Sequence, residues 1–170
     1  MTKRERLRRV VLVSCEFARN LAFYRAGWDR KRFRQNTEFW RTANSNFLDH
    51  CILEWCKLFG DRKAEHHWSK RVADLVTFER ELYRKLNDSP AEFETYRVEL
   101  RRYRDKFIAH LDSDAVMHIP WLSKAQSSVW FYHDYVVQNE ARPGDLAGLP
   151  SKLGSYYRQC ADEANGIYRA

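Results

Sequence analysis

Glycine and proline are scarce in this chain of 170 residues, six and four respectively. Only the run Arg142-Pro-Gly-Asp-Leu-Ala-Gly-Leu-Pro150 gathers them into a loop-like stretch. No internal repeat or low-complexity tract occurs, so the sequence reads as one domain over 1–170. No stretch approaches the roughly 20 apolar residues that a membrane span needs. A Gly-rich phosphate loop, a nucleophile elbow and a paired-carboxylate spacing are all absent, which removes the common signatures of nucleotide hydrolysis, acyl transfer and glycoside cleavage. Cys15, Cys51, Cys56 and Cys160 show no C-x-x-C spacing and no partnered histidine pattern, so no metal site or cofactor is expected. The basic start, Met1 to Arg9, followed by Val10 to Val13, has the outline of an export signal. Glu16, Arg19 and Arg25 interrupt its apolar part too soon. The expectation is a cytoplasmic protein with reduced, mostly buried thiols.

What is present in excess is positive charge. Thirty Lys plus Arg against 23 Asp plus Glu give a net charge of +7 and a pI near 9.3. Hydrophobic residues at 44% and aromatics at 15% argue for a packed core rather than disorder. Such a balance favours an anionic partner, nucleic acid first and an acidic protein second. A basic surface with no special partner would look the same by charge alone.

Apolar residues recurring three or four positions apart predict six helices and an all-α antiparallel bundle. The first carries Leu7, Val11, Phe17, Leu21 and Tyr24 and ends near Gly27. The second runs from Phe39 to Leu58 and stops at Phe59-Gly60; its broad apolar face suggests the most buried helix of the set. A third contains Trp68, Val72, Leu75, Phe78, Leu82 and Leu86 and breaks at Asn87-Asp88. The fourth has the clearest start: Ser89 at the N-cap, Pro90 at the first helical position and Glu92 completing a capping box. Its line Phe93, Tyr96, Leu100, Tyr103, Phe107, Leu111 is a packing seam for a neighbouring helix or a partner subunit. A fifth helix begins at Pro120 with Trp121, Ala125, Val129, Tyr132 and Val136, although a strand over 129–137 also fits. A sixth carries Leu153, Tyr157, Cys160, Ala164 and Ile167.

The fourth helix also gathers Arg97, Arg101, Arg102, Arg104 and Lys106. A cationic face of this kind can track phosphates; a solvated surface with local pairs such as Arg101 and Asp105 is the plainer reading. His110 adds chemistry. It lies near the helix C-terminus and two residues before Asp112, both of which favour its protonated form. A histidine can move protons near neutral pH, and an arginine can hold a phosphate in two-pronged fashion. Cleaving RNA requires deprotonation of the 2′-hydroxyl, protonation of the 5′-oxygen and neutralisation of charge on the phosphorus oxygens. On an α-helix Arg104 and His110 stand about 120° apart, so one copy makes a poor site. A two-fold dimer would supply a pair of each.

The run Arg104-Asp-Lys-Phe-Ile-Ala-His110 resembles the HEPN signature, an Arg followed by a polar residue and, after four to six intervening positions, a His. The stretch Phe47 to Gly60 is similar, more loosely, to abortive-infection (AbiU-like) HEPN proteins of bacteria, and the helical order fits from about Phe39 to Leu111. The resemblance implies a helical bundle, frequently dimeric, acting as a metal-independent endoribonuclease in toxin–antitoxin or phage defence. It implies Arg104 and His110 as the catalytic pair, Asp105 as an accessory, RNA as substrate and a cognate antitoxin as partner. Position 112, where HEPN toxins silenced by a nucleotidyltransferase carry Tyr, is Asp here, which argues against control by adenylylation at that site. A catalytically silent HEPN-like module that binds RNA, nucleotide or a partner protein is the alternative. A third reading is an unrelated bundle serving only protein interaction.

The second Arg-to-His spacing, Arg62 to His66-His67, lacks the polar residue after the Arg and falls in a loop; it reads as solvated rather than as a metal site with Glu65. His50 reads as a core histidine, and His118 and His133 as structural. The six Trp could stack on bases, but most fall on core-facing lines.

Overall fold

The computed structural model describes residues 1–29, 32–33, 37–109 and 119–169. They form an all-α bundle of six helices: α1 (Lys3–Gly27), α2 (Glu38–Trp55), α3 (Leu75–Leu86), α4 (Pro90–Tyr103), α5 (Leu122–Tyr135) and α6 (Leu153–Arg169). A short antiparallel ladder, β1 (Trp28–Asp29) and β2 (Arg32–Phe33), follows α1, pairing Trp28 with Phe33. Among the described residues no helix is long and apolar enough to cross a membrane.

Helix starts follow side-chain chemistry. Thr2 and Glu5 form a capping box on α1, and Ser89 with Glu92 forms another on α4, where Pro90 supplies the first turn. Asp74 accepts from the Thr77 amide to start α3. Helix α3 therefore begins at Leu75, seven residues later than the apolar spacing suggests, because Trp68–Lys70 make a separate 3-10 turn. Its end falls where expected: Asn87 takes the left-handed conformation at φ 53°, which an asparagine tolerates better than most residues.

Three helices run on into π turns, α2 through Cys56–Gly60, α4 through Arg104–Ala109 and α5 through Val136–Glu140. Each widens the final turn to i→i+5 hydrogen bonding. The stretch 129–137 is thus helical throughout.

Helix α1 packs against α2, α5 and α6. It runs through the middle of the core with Leu7, Val10, Val11, Phe17, Ala18 and Leu21 buried. This corrects the expectation that α2 is the most buried helix. The main core takes only the C-terminal half of α2, from Leu48 on; at its start Phe39 is exposed and Trp40 joins a smaller cluster with Ala26, Ala164 and Tyr168. The seam of α4 is filled from within the chain. Phe93 and Tyr96 pack on Trp55, and Phe93 also on Phe59 and Tyr83. Phe93, Tyr96, Leu100 and Tyr103 are buried without any partner subunit. On α6 the buried line is Leu153, Cys160, Ala164 and Tyr168, with Ile167 facing out.

Candidate nucleic-acid interface

Helix α4 and the loop after Gly60 enclose a cleft of about 990 Å³, lined by Asp61, Arg62, Lys63, Glu94, Arg97 and Arg101 among others. Four cations face two carboxylates there. The loop reaches α4 because the π turn at Cys56–Gly60 ends α2 against it: Gly60 is buried, and a side chain there would meet Cys56 at 3.1 Å and Arg101 at 3.4 Å. Gly60 thus permits the close approach that brings Asp61 to the arginines.

Asp61 is the hinge of the site. One of its carboxylate oxygens accepts from Arg104 Nη1, and the other lies 3.7 Å from Arg101 Nε. Arg104 also donates from Nε to Asp105 Oδ1 at 2.8 Å, and its side chain is mostly buried. Burial alone would lower the guanidinium pKa; hydrogen bonds to Asp105 and Asp61 outweigh it and hold the value above the ordinary one. Arg104 is therefore charged at any physiological pH, and is held by two carboxylates. Arg97 is likewise anchored, donating to Glu94 Oε1 at 2.5 Å, and this bond holds the Glu94 carboxyl below its usual range.

The structure brings Arg97, Arg101 and Arg104 together on one side of α4. Neither Arg102, which is exposed, nor Lys106, half-buried in the π turn, lines the cleft. The proposed cationic track is thus split between two faces. His110 and Leu111 lie outside the described residues, as do Asp112 and His118. The turn before His110, Arg104–Ala109, is π-helical.

Asp61, Arg62 and Lys63 were not legible as site residues, because nothing in a loop's sequence says which helix it will face. Burial and the surrounding cations act on the neighbouring histidines. Burial lowers the pKa of His66, and Arg9, Arg71 and Lys57 push it further down. His67 is fully buried, contrary to the solvated loop expected: Nδ1 lies 2.8 Å from Ser69 Oγ and Nε2 3.1 Å from the Phe59 carbonyl. Burial first, then Arg97, Arg62 and Lys70, bring its pKa to about 4 against the pull of the Phe59 bond. His50 corrects in the other direction, facing outward from α2. His133 is buried, bonded to Asp134 and to the Pro150 carbonyl, a structural role as expected.

Among the described residues no three His, Cys, Asp or Glu side chains cluster to hold a metal ion. The four cysteines are free and buried. Comparison with family models, curated proteins and solved structures finds no match to the chain.

Proposed function

We propose that this protein is a metal-independent endoribonuclease of toxin–antitoxin or phage-defence type, working as a homodimer through Arg104 and His110 with Asp105 as accessory. The observation that supports it is the arginine cleft. Arg62, Lys63, Arg97 and Arg101 form an anionic-ligand surface, and Asp61 links it directly to Arg104. In this reading the cleft holds the RNA backbone. Arg104 neutralises charge on the scissile phosphate, and the imidazoles of two His110 residues exchange protons with the 2′- and 5′-oxygens. Asp105 fixes the Arg104 guanidinium through its Nε.

A silent RNA-binding module is the second reading, and one observation favours it. Two carboxylates already occupy the Arg104 guanidinium, so a phosphate must displace at least one of them. Growth arrest and cleavage of purified RNA in chelator, compared for wild type and His110→Ala, separate the two. Cleavage by wild type and its loss in the variant are expected. Equal behaviour of the two proteins ends the nuclease reading, and RNA binding without cleavage by either leaves the silent module.

A further inference from the structure

Two of the six tryptophans do not pack into the core. Trp121 is 84% exposed and Trp28 42% exposed, and both line one cleft of about 1020 Å³ with Tyr24, Arg25, Ile119 and Leu122. The exposure of Trp121 is not that of a loose end. Its carbonyl accepts from the buried Tyr96 hydroxyl at 2.7 Å, and the same hydroxyl accepts from the Ala125 amide at 3.1 Å. Tyr96, on α4, thereby pins the first turn of α5, and Pro120 beside it is buried. Trp121 occupies the N-cap of α5 with no side-chain capping bond, at a position where Ser, Thr, Asp or Asn stabilises a helix. It neither caps nor packs. Trp28 is as firmly placed, its amide closing the end of α1 on the Tyr24 carbonyl and its backbone pairing with Phe33. Among the described residues of the lining Arg25 carries the charge, held by Gln126 at 2.8 Å and Tyr157 at 3.4 Å.

We infer that this cleft binds an unpaired base of single-stranded RNA by stacking on Trp121 and Trp28, with Arg25 facing the adjoining phosphate. Exposed indoles on a fixed backbone with a cation beside them match the chemistry of an anionic aromatic ligand. A base in a duplex has both faces covered and cannot enter, so the substrate class is single-stranded. The inference rests on RNA being the ligand of the proposed nuclease.

Binding of a fluorescent ten-nucleotide oligouridylate and of an abasic ribose-phosphate oligomer of equal length, measured by anisotropy on the full chain, tests it. Trp121→Ala should weaken binding of the oligouridylate about tenfold and leave the abasic oligomer unchanged, while Trp121→Phe retains most of the affinity. Trp121 is exposed, so circular dichroism and thermal unfolding of both variants should match wild type. Equal affinity of wild type and Trp121→Ala for the oligouridylate overturns the stacking site and leaves the nuclease reading standing, as does an equal loss with the abasic oligomer. Absence of binding by wild type removes both. A dimer by sedimentation that Trp121→Ala converts to monomer would make this face a contact between copies, and the base site would be wrong.

Discussion

The Tyr103 hydroxyl donates to Asp49 Oδ1 at 3.0 Å, tying α4 to α2 one residue before Arg104. Tyr103 is buried and Asp49 half-buried. Burial raises the Asp49 carboxyl pKa, and the bond from Tyr103 pulls it back down. Tyr103→Phe should therefore raise the Asp49 pKa further and cost about 2 kcal/mol, the range for a hydrogen bond to a charged group. Urea unfolding and an NMR titration of the Asp49 carboxyl check the two effects; an unshifted titration would show that the hydroxyl does not stabilise the carboxylate.

Asp61 restrains Arg101 and Arg104 at once. Asp61→Asn removes a negative charge from the cleft while keeping most of the side chain's shape. RNA should bind more tightly at low salt and with a steeper salt dependence, yet cleavage should slow because Arg104 loses one of its two orienting partners. The pair is partly solvated, so stability should fall by no more than about 1 kcal/mol. Anisotropy at several salt concentrations beside single-turnover cleavage reads both effects, and a rise in both affinity and rate would mean that Asp61 inhibits rather than orients.

His67 makes stability depend on acid. Its folded pKa of about 4 lies below the ordinary histidine value of 6.5, mainly through burial. Between those values the unfolded chain binds a proton that the folded chain refuses, so stability rises with pH there. The contribution is complete above about pH 6.5 and disappears as the pH falls toward 4, a loss on the order of 3 kcal/mol. His67→Gln cannot titrate. Its unfolding free energy should change less than that of wild type between pH 7 and pH 4.5, and parallel curves would remove His67 as the cause.

The thiols should be inert in the folded state. Burial raises Cys15 to about 11 and Cys56 to about 12, and also raises Cys51 and Cys160. The thiolate is the reactive form, so at pH 8 a thiol reagent should label none of the four until denaturant is added. The same shifts remove stability in alkali: the unfolded thiols ionise from about pH 9 upward, whereas the folded ones stay protonated. Rapid labelling of native protein at pH 8 would show that the helices covering these residues open readily.

The helices were legible because their signals are local. Ser89, Pro90 and Glu92 state the start of α4 within four residues, and Gly60 its counterpart stop after α2. What failed was local in appearance only. Trp68 and Val72 continue the apolar spacing of α3, yet Asp74 captures the Thr77 amide and sets the start there. His50 stands among apolar neighbours in sequence, but Leu48, Cys51, Ile52 and Trp55 form the inward line, and His50 falls opposite Leu48 on a helix with 3.6 residues per turn. Trp121 fits the apolar line of α5, but at the N-cap no preceding turn lies beneath it. Of the site, the arginines of α4 were visible as a cluster. Their carboxylate partner Asp61 was not, since the pairing spans 43 positions and depends on a π turn that no spacing announces.

Gly27 closes α1 where α2 and α6 meet it. A side chain there would overlap the Tyr168 hydroxyl and come within 2.5 Å of Asn44 Oδ1. Tyr168 is buried and packs at a tilt against Trp40 with a ring separation of 4.8 Å, and Asn44 is 1% exposed, so neither can yield cheaply. Gly27→Ala would ordinarily stabilise a helix end by reducing unfolded-state entropy, by less than about 1 kcal/mol. Here the overlap should reverse the sign and cost about 1 to 3 kcal/mol. The displacement should also reach Trp28, the next residue, and weaken binding of single-stranded RNA through the cleft it lines. Tyr168→Phe removes the nearest overlapping atom but leaves the ring carbon that bore it at 2.6 Å, so the double variant should recover a small part of both losses. Additive losses in the double variant, measured by thermal unfolding and anisotropy, would mean that the Tyr168 hydroxyl is not what excludes a side chain at position 27.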